Sequence, residues 1–259
     1  MSKIQQLFGI EGKTALVTGG SSGIGLMIAR AYVEAGVKVY VASRKLEVCE
    51  EVAKGLSAIG QCIPLQADLS SVEECKRLAG EIGEREPALD ILVNNAGAAW
   101  GAPFEDFPEK AWDRVVDLNL KGVFFLTQAL TPKLAAAGTP ESPARVINIG
   151  SAEGLTVPAH ENYPYPISKA GVHWMTQVLA KRLAREHITV NALVPGPFES
   201  RMMASTLKAA GDEIVEMLPL HRIGRPDDIA GAAIYLASPA ASWITGVNLP
   251  VDGGLTGSR

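Results

Sequence analysis

The chain is predicted to be an α/β protein built on a parallel sheet with helices on both faces. Three observations predict it. Short apolar, β-rich runs alternate with longer helical segments along the 259 residues. Runs such as Ala15-Leu-Val17 and Ile91-Leu-Val93 are continuously apolar, as strands buried on both faces are. The first strand runs directly into a glycine-rich turn and then a helical segment.

The elements follow in order. Thr14 to Val17 reads as the first strand and 23–36 as the helix it feeds. Lys38 to Ala42 with 45–58, and Cys62 to Gln66 with 71–85, make the next two pairs. Leu89 to Val93 is the fourth strand, followed after a loop by helical sequence over 109–136. Arg145 to Ile149 precedes a helix over 167–186. Thr189 to Val194 is the sixth strand, and a helix over 226–237 leads to the last, Val247 to Val251. Pro197 to Arg225 breaks the rhythm. It is long, carries Met202, Met203 and Met217, and reads as a short helical excursion forming a lid over the site. No repeat, low-complexity tract or linker divides the chain, so 1–259 is expected to be a single domain that binds cofactor and catalyses.

Bulk properties narrow the function. Apolar residues make up 47%, enough for a substantial core. The net charge of -4 is spread with mixed signs, and no basic stripe points to nucleic acid. No apolar run approaches the roughly 18 residues of a membrane helix. Met1 to Gly12 lacks the pattern of a signal peptide, so a cytoplasmic protein is expected. Cys49, Cys62 and Cys75 have no C-x-x-C spacing and suit reduced thiols. The histidines (His160, His173, His187, His221) are scattered, and no metal site is expected.

Ligands of such sheets bind at the carboxyl ends of the strands. Thr14-Ala-Leu-Val-Thr18 runs into Gly19-Gly-Ser-Ser-Gly23-Ile-Gly25. Strand, glycine turn and helix N-terminus together make an anion site for a diphosphate, with contacts expected from Gly19, Ser21, Ser22, Gly23 and Ile24. The residue ending the second strand lies near the adenosine ribose, where a carboxylate favours NAD. The segment Val39-Tyr-Val-Ala-Ser43-Arg44-Lys45 has none. Ser43 can hydrogen-bond a phosphate, and Arg44 can pair with a 2′-phosphate and stack on adenine. NADP(H) is therefore the expected cofactor, although Ser22 is neutral where a second basic residue would strengthen the case.

Tyr165 and Lys169 are four apart near a helix start and share one face, with Pro166 suited to the first turn. A phenol is a poor base near neutrality, and the nearby ammonium is expected to lower its pKa. Tyr165 then acts as general acid toward a carbonyl, and as base in reverse. Ser151 follows the fifth strand and can hydrogen-bond the developing alkoxide. Asn119, a mediocre helix former inside a helix, can hold a water that relays protons to Lys169.

Thr18-Gly-Gly-Ser-Ser-Gly-Ile-Gly25, Ala67-Asp68-Leu69, Asn94-Asn-Ala-Gly97, Asn119, Ser151, Tyr165-Pro-Ile-Ser-Lys169, Pro195-Gly196 and Val251-Asp-Gly-Gly254 recur in one family. Through them the chain resembles the short-chain dehydrogenase/reductase family over nearly its whole length. The resemblance implies a Rossmann-like, doubly wound, seven-stranded parallel sheet and a catalytic tetrad of Asn119, Ser151, Tyr165 and Lys169. It implies that Lys169 also holds the nicotinamide ribose and that Asp68 and Leu69 contact adenine. Asn95, Ala96 and Gly97 line the cofactor beside the fourth strand. Pro195, Gly196, Phe198 and Ser200 meet its nicotinamide end. Members are usually tetramers, and Ile229 to Asp252 is the expected interface.

Two departures stand out. Ser151 and Tyr165 are one residue further apart than the family's usual spacing, so the loop Ala152 to Pro164 is expected to bulge. Ser200 replaces the commoner Thr and keeps its hydroxyl. Within the family the chain resembles 3-oxoacyl reductases of the rhamnolipid-pathway type, and gluconate-type sugar dehydrogenases share much of the pattern. Trp100, Leu155, His160 and Tyr163, with Phe198, Met202 and Met203, are expected to frame a largely apolar substrate pocket. Arg201, Lys208 and Arg222 would favour a carrier-protein or CoA-linked substrate if they cluster. The leading reading is an NADPH-dependent ketone or 3-oxoacyl thioester reductase. A sugar or polyol dehydrogenase, and a catalytically silent NADP(H)-binding regulator, are the alternatives.

Overall fold

Parallel strands need a crossover between neighbours, and this chain supplies helices for it. The computed structural model describes residues 2–158 and 160–257. Its strands are β1 (Thr14–Thr18), β2 (Lys38–Ser43), β3 (Cys62–Gln66), β4 (Ile91–Asn94), β5 (Ala144–Ile149), β6 (Ile188–Pro195) and β7 (Asn248–Val251). They form one seven-stranded sheet in the order β3-β2-β1-β4-β5-β6-β7, with every neighbouring pair parallel. The chain winds outward from β1 to β3 and then returns to the other side of β1 with β4. The carboxyl ends of β1 and β4 therefore flank a switch point, where crossovers leave toward opposite faces and a crevice opens.

The helices are α1 (Lys3–Phe8), α2 (Gly23–Glu34), α3 (Leu46–Leu56), α4 (Val72–Arg85), α5 (Glu109–Val116), α6 (Gly122–Ala137), α7 (Pro164–Leu183), α8 (Ala204–Met217) and α9 (Pro226–Ala237). One core lies where Ile28 and Tyr32 of α2 and Ile229 and Ala233 of α9 meet the sheet. The other joins Leu78 and Ile82 of α4, Leu126, Leu130 and Leu134 of α6, and Leu183 of α7 to the opposite face. The α6 leucines recur at the spacing of one helical face and are fully buried. Burying each contributes about 2 kcal/mol.

The expected strands are all present, with ends shifted by a residue or two. The expected 109–136 helix is continuous but not uniformly α: Asp117–Lys121 is a π-helical turn between α5 and α6. Helix α1 was not expected. Its Ser2 and Gln5 form a reciprocal capping box, and Phe8 packs on Tyr235. Within 197–225 the helical excursion is α8, kinked at Ala210, where φ is -142°. Among the described residues no helix is long and apolar enough to cross a membrane.

Candidate active site

The glycine turn after β1 is left-handed at Gly19 (φ 63°) and Gly23 (φ 53°). At Gly19 a Cβ would also lie 2.7 Å from Asn95 Nδ2, so conformation and space both call for glycine. The N-cap of α2, Ser22, makes no side-chain capping bond. The first amides of α2 are thus left to an anion, reinforced by the helix dipole. Thr18 Oγ1 accepts from the amides of Asn95 and Ala96 at 2.9 and 3.0 Å. Asn95 Nδ2 donates to the carbonyls of Thr18 and Gly19 at 2.9 and 3.2 Å. The Asn95 side chain therefore braces the turn. Ser200 sits against the turn as well: its Cβ is 3.2 Å from where a Gly23 Cβ would be.

Beyond the end of β2 a groove of about 590 Å³ is lined by Arg44, Gln66, Asp68 and Arg77 among others. Arg44 is exposed, and no carboxylate occupies the end of β2. The groove also carries Glu50, Glu74 and Glu81, so the uncapped helix, the left-handed glycines and the exposed Arg44 are the features that fit a dinucleotide bearing a 2′-phosphate. Two expected contacts need correction. The Ser43 hydroxyl already donates to Lys45 O at 3.2 Å and lies 3.0 Å from Cys49 Sγ, so its proton is not free for phosphate. The Leu69 side chain is buried in the core, which leaves only its backbone to meet adenine. Arg77 was not foreseen. Its guanidinium is held by Glu74, Glu81 and the Gln66 carbonyl.

The catalytic candidates converge at the carboxyl end of β5. Lys169 Nζ donates to Ile149 O at 2.7 Å and lies 5.6 Å from the centroid of the Tyr165 ring. The Ser151 hydroxyl is near enough to the Tyr165 phenol to pull its pKa down and accepts from the Glu153 amide at 3.2 Å. Asn119 lies in the π turn, whose wider coil is a common device at functional sites. Its Nδ2 donates to Ala98 O at 2.9 Å and to Ser168 Oγ at 3.0 Å, while Oδ1 accepts from Ala98 N at 2.8 Å. Both amide protons are spent on tying the loop after β4 to α7, so the side chain does not serve as the expected water holder.

The expected direction of the Tyr165 shift is reversed. The half-buried phenol is pushed up to about 12, first by burial, with the nearby Ser151 hydroxyl pulling down and the Glu153 charge pushing up. Burial lowers the Lys169 ammonium to about 8. Spacing shows that the two are neighbours, but not that both lose water and that Nζ lies over the ring.

The expected substrate frame does not close into one cavity. Leu155, His160 and Tyr163 share a space of about 420 Å³ with Ile167 and Ala170 of α7, which Tyr165 does not line. Phe198 is 2% exposed and packs against Gly224, where a Cβ would meet its ring at 2.3 Å. Trp100 carries Arg114 over its ring at 5.8 Å. The loop after Ser151 begins as a 3₁₀ turn, Ala152–Gly154. Ala159, inside the expected bulge, lies outside the described residues. Arg222 is paired with Asp228 at 2.6 and 3.0 Å, which leaves it no free charge for a carrier.

Sequence reasoning missed His173. It is buried, and Ser151 N donates to its Nε2 at 3.4 Å. Burial, then the Lys169 charge, lower its pKa to about 4, against a weak raising contact with the Gly154 backbone. Folding thus favours the neutral ring. Between pH 6.5 and 4 the unfolded chain binds a proton that the folded chain refuses, so stability falls as pH drops through that window. Thermal melts from pH 7 to 4 should show His173→Gln losing less stability than wild type. Parallel curves would refute the assignment.

A family model described as enoyl-(acyl carrier protein) reductase matches residues 19–256. The rhamnolipids biosynthesis 3-oxoacyl-[acyl-carrier-protein] reductase of Pseudomonas aeruginosa is 45% identical over 250 residues, covering 95% of this chain and 97% of that one. The solved Pseudomonas aeruginosa RhlG/NADP active-site complex superposes with a TM-score of 0.94 at 44% identity, covering 97% of this chain and 99% of that one. An NAD-dependent glycerol dehydrogenase of Listeria innocua is 35% identical over 250 residues, covering 96% of each chain.

Proposed function

We propose, from the premise that this chain belongs to the short-chain dehydrogenase/reductase family, that it is an NADPH-dependent carbonyl reductase acting on a 3-oxoacyl thioester or related ketone. One observation carries the reading: Ser151, Tyr165 and Lys169 meet at the end of β5, in a fold whose other strand ends offer an uncapped helix N-terminus and an exposed Arg44. The relatives named as 3-oxoacyl reductases support the activity, and the similar RhlG/NADP complex supports the cofactor.

The glycine turn, Arg44, Asp68, the Ala96-Gly97 backbone and the Pro195-Gly196 segment would hold NADPH, which when bound would supply the hydride that a carbonyl carbon accepts. Tyr165 donates its phenolic proton to the carbonyl oxygen as negative charge builds there. Ser151 stabilises the same oxygen with its hydroxyl. Lys169 stabilises the phenolate that remains, because its charge acts at short range in a dry site. Asn119 holds the Ala98 loop and Ser168 in register around them. Pro197 to Arg225 acts as a lid hinged near the Ala210 kink. The protein works in the cytoplasm as a homotetramer. The fully exposed Trp243 in the Ile229 to Asp252 segment, and the exposed Ile167, Trp174 and Val178 of α7, support apolar contacts between copies.

Steady-state oxidation of NADPH and NADH against 3-oxoacyl thioesters, simple ketones and keto-sugars tests the assignment. Acyl thioester turnover with NADPH is expected. Turnover of keto-polyols alone, with NADH, would instead favour the polyol dehydrogenase reading, which the 35% identical glycerol dehydrogenase supports. NADPH binding without any turnover would leave the regulator. Arg44→Leu is expected to weaken NADPH about 10- to 100-fold, the worth of one or two charge-assisted hydrogen bonds. NADH should change little; equal losses for both cofactors would remove Arg44 from the 2′-phosphate.

A further inference from the structure

We propose that His173 is a positioning residue that holds the Ser151 segment against α7 in the geometry that turnover requires. This rests on reading Ser151, Tyr165 and Lys169 as the reacting centre.

His173 follows Lys169 by one helical turn, so both side chains leave the same face of α7. Lys169 Nζ bonds Ile149 O at 2.7 Å, and His173 Nε2 accepts from Ser151 N at 3.4 Å. Successive turns of the helix therefore grip the end of β5 on either side of Gly150. The ring is also wedged against backbone. A Cβ at Gly150 would lie 2.1 Å from Nε2, and one at Gly154 would lie 2.7 Å from Cε1. The imidazole thus fills the space between two glycines that bracket Ser151.

As acceptor, Nε2 carries no proton, which places the ring hydrogen on Nδ1. Nδ1 makes no hydrogen bond of normal geometry among the described residues. The buried ammonium of Lys169 is the charged group acting on the ring, and it disfavours a second positive charge there. His173 moves no proton of the reaction; it sets where the Ser151 hydroxyl points. Losing the acceptor leaves the Ser151 amide buried and unpaired, and the segment shifts to relieve it. Displacements of about 1 Å at a reacting centre lower rates by as much as about 100-fold.

The test compares His173→Leu, which fills the space without an acceptor, with His173→Gln, whose amide oxygen replaces Nε2. Both are made in the wild-type and Ser151→Ala backgrounds. The readouts are kcat and KM with acetoacetyl-CoA, NADPH affinity by fluorescence titration, and the melting temperature. His173→Leu is expected to lower kcat about 10- to 100-fold, with NADPH affinity unchanged and His173→Gln restoring most of the rate. In the Ser151→Ala background the same change should add almost nothing, because the group it positions is gone. Should His173→Leu not fold, His173→Asn, too short to reach Ser151, takes its place. Wild-type kcat in His173→Leu, equal losses in the Leu and Gln variants, or the same loss in both backgrounds overturns the proposal. Full turnover in Ser151→Ala alone would instead overturn the reading of the reacting centre itself.

Discussion

Tyr165→Phe, which removes a single oxygen, is expected to lower kcat for ketone reduction by about 1,000-fold or more, equivalent to roughly 4 kcal/mol of barrier. The ring stays, so its packing and the ammonium 5.6 Å from its centroid are kept. NADPH affinity should therefore stay nearly unchanged. What disappears is the proposed proton donor at the carbonyl oxygen, beside the Ser151 hydroxyl. The raised phenol also fixes the sign of the pH response. With a pKa of about 12, Tyr165 is protonated throughout the neutral range, the form that reduction needs. Alcohol oxidation needs the phenolate, so its rate should rise with pH while reduction stays level until the phenol ionises. Initial rates in both directions, from pH 6 to 10, check this. Turnover retained in the phenylalanine variant would remove Tyr165 as the acid.

Lys169→Met should match that loss in rate by a different route. The substitution preserves length and deletes charge in a site where water cannot replace it, and a fall in kcat of about 1,000-fold is expected. NADPH should bind more weakly too, through loss of the ribose contact that the family resemblance implies for Lys169. Stability should move the other way. Burial holds the ammonium at about 8, below its ordinary 10.5. The folded state thus carries a penalty that is full at pH 7 and relieved only as pH rises from about 8 to 10.5. Methionine removes it, at the cost of leaving the Ile149 carbonyl without its 2.7 Å partner. A melting temperature held or raised beside a collapsed kcat would mark a residue kept for chemistry. A collapsed melting temperature would mark Lys169 as structural instead.

Much of the candidate site was legible because its signals are local. The run from Thr18 to Gly25 announces a strand, a turn with left-handed positions and a helix N-terminus, and these are properties of neighbouring residues. Tyr165 and Lys169 declare a shared face through helical period alone. Arg44, with no carboxylate at the end of β2, is the local signal that points to a 2′-phosphate. His173 carried the same kind of signal, one turn beyond Lys169. Periodicity names a face, however, and not what lies across from it.

The sequence by itself determined the α/β class, the order of strands and helices, the glycine turn and the identity of the chemical groups. Each depends on steric and hydrogen-bonding rules acting within a few residues. Tertiary structure alone decided how those groups are used. It buried Phe198 on Gly224 and turned Leu69 into the core. It spent the Ser43 and Asn119 side chains on neighbouring backbone, and it desolvated Tyr165 and Lys169 until their pKa values moved toward the neutral forms. Desolvation and side-chain commitment depend on which distant segments pack together, as β5 and α7 do around His173, and no local pattern encodes that pairing.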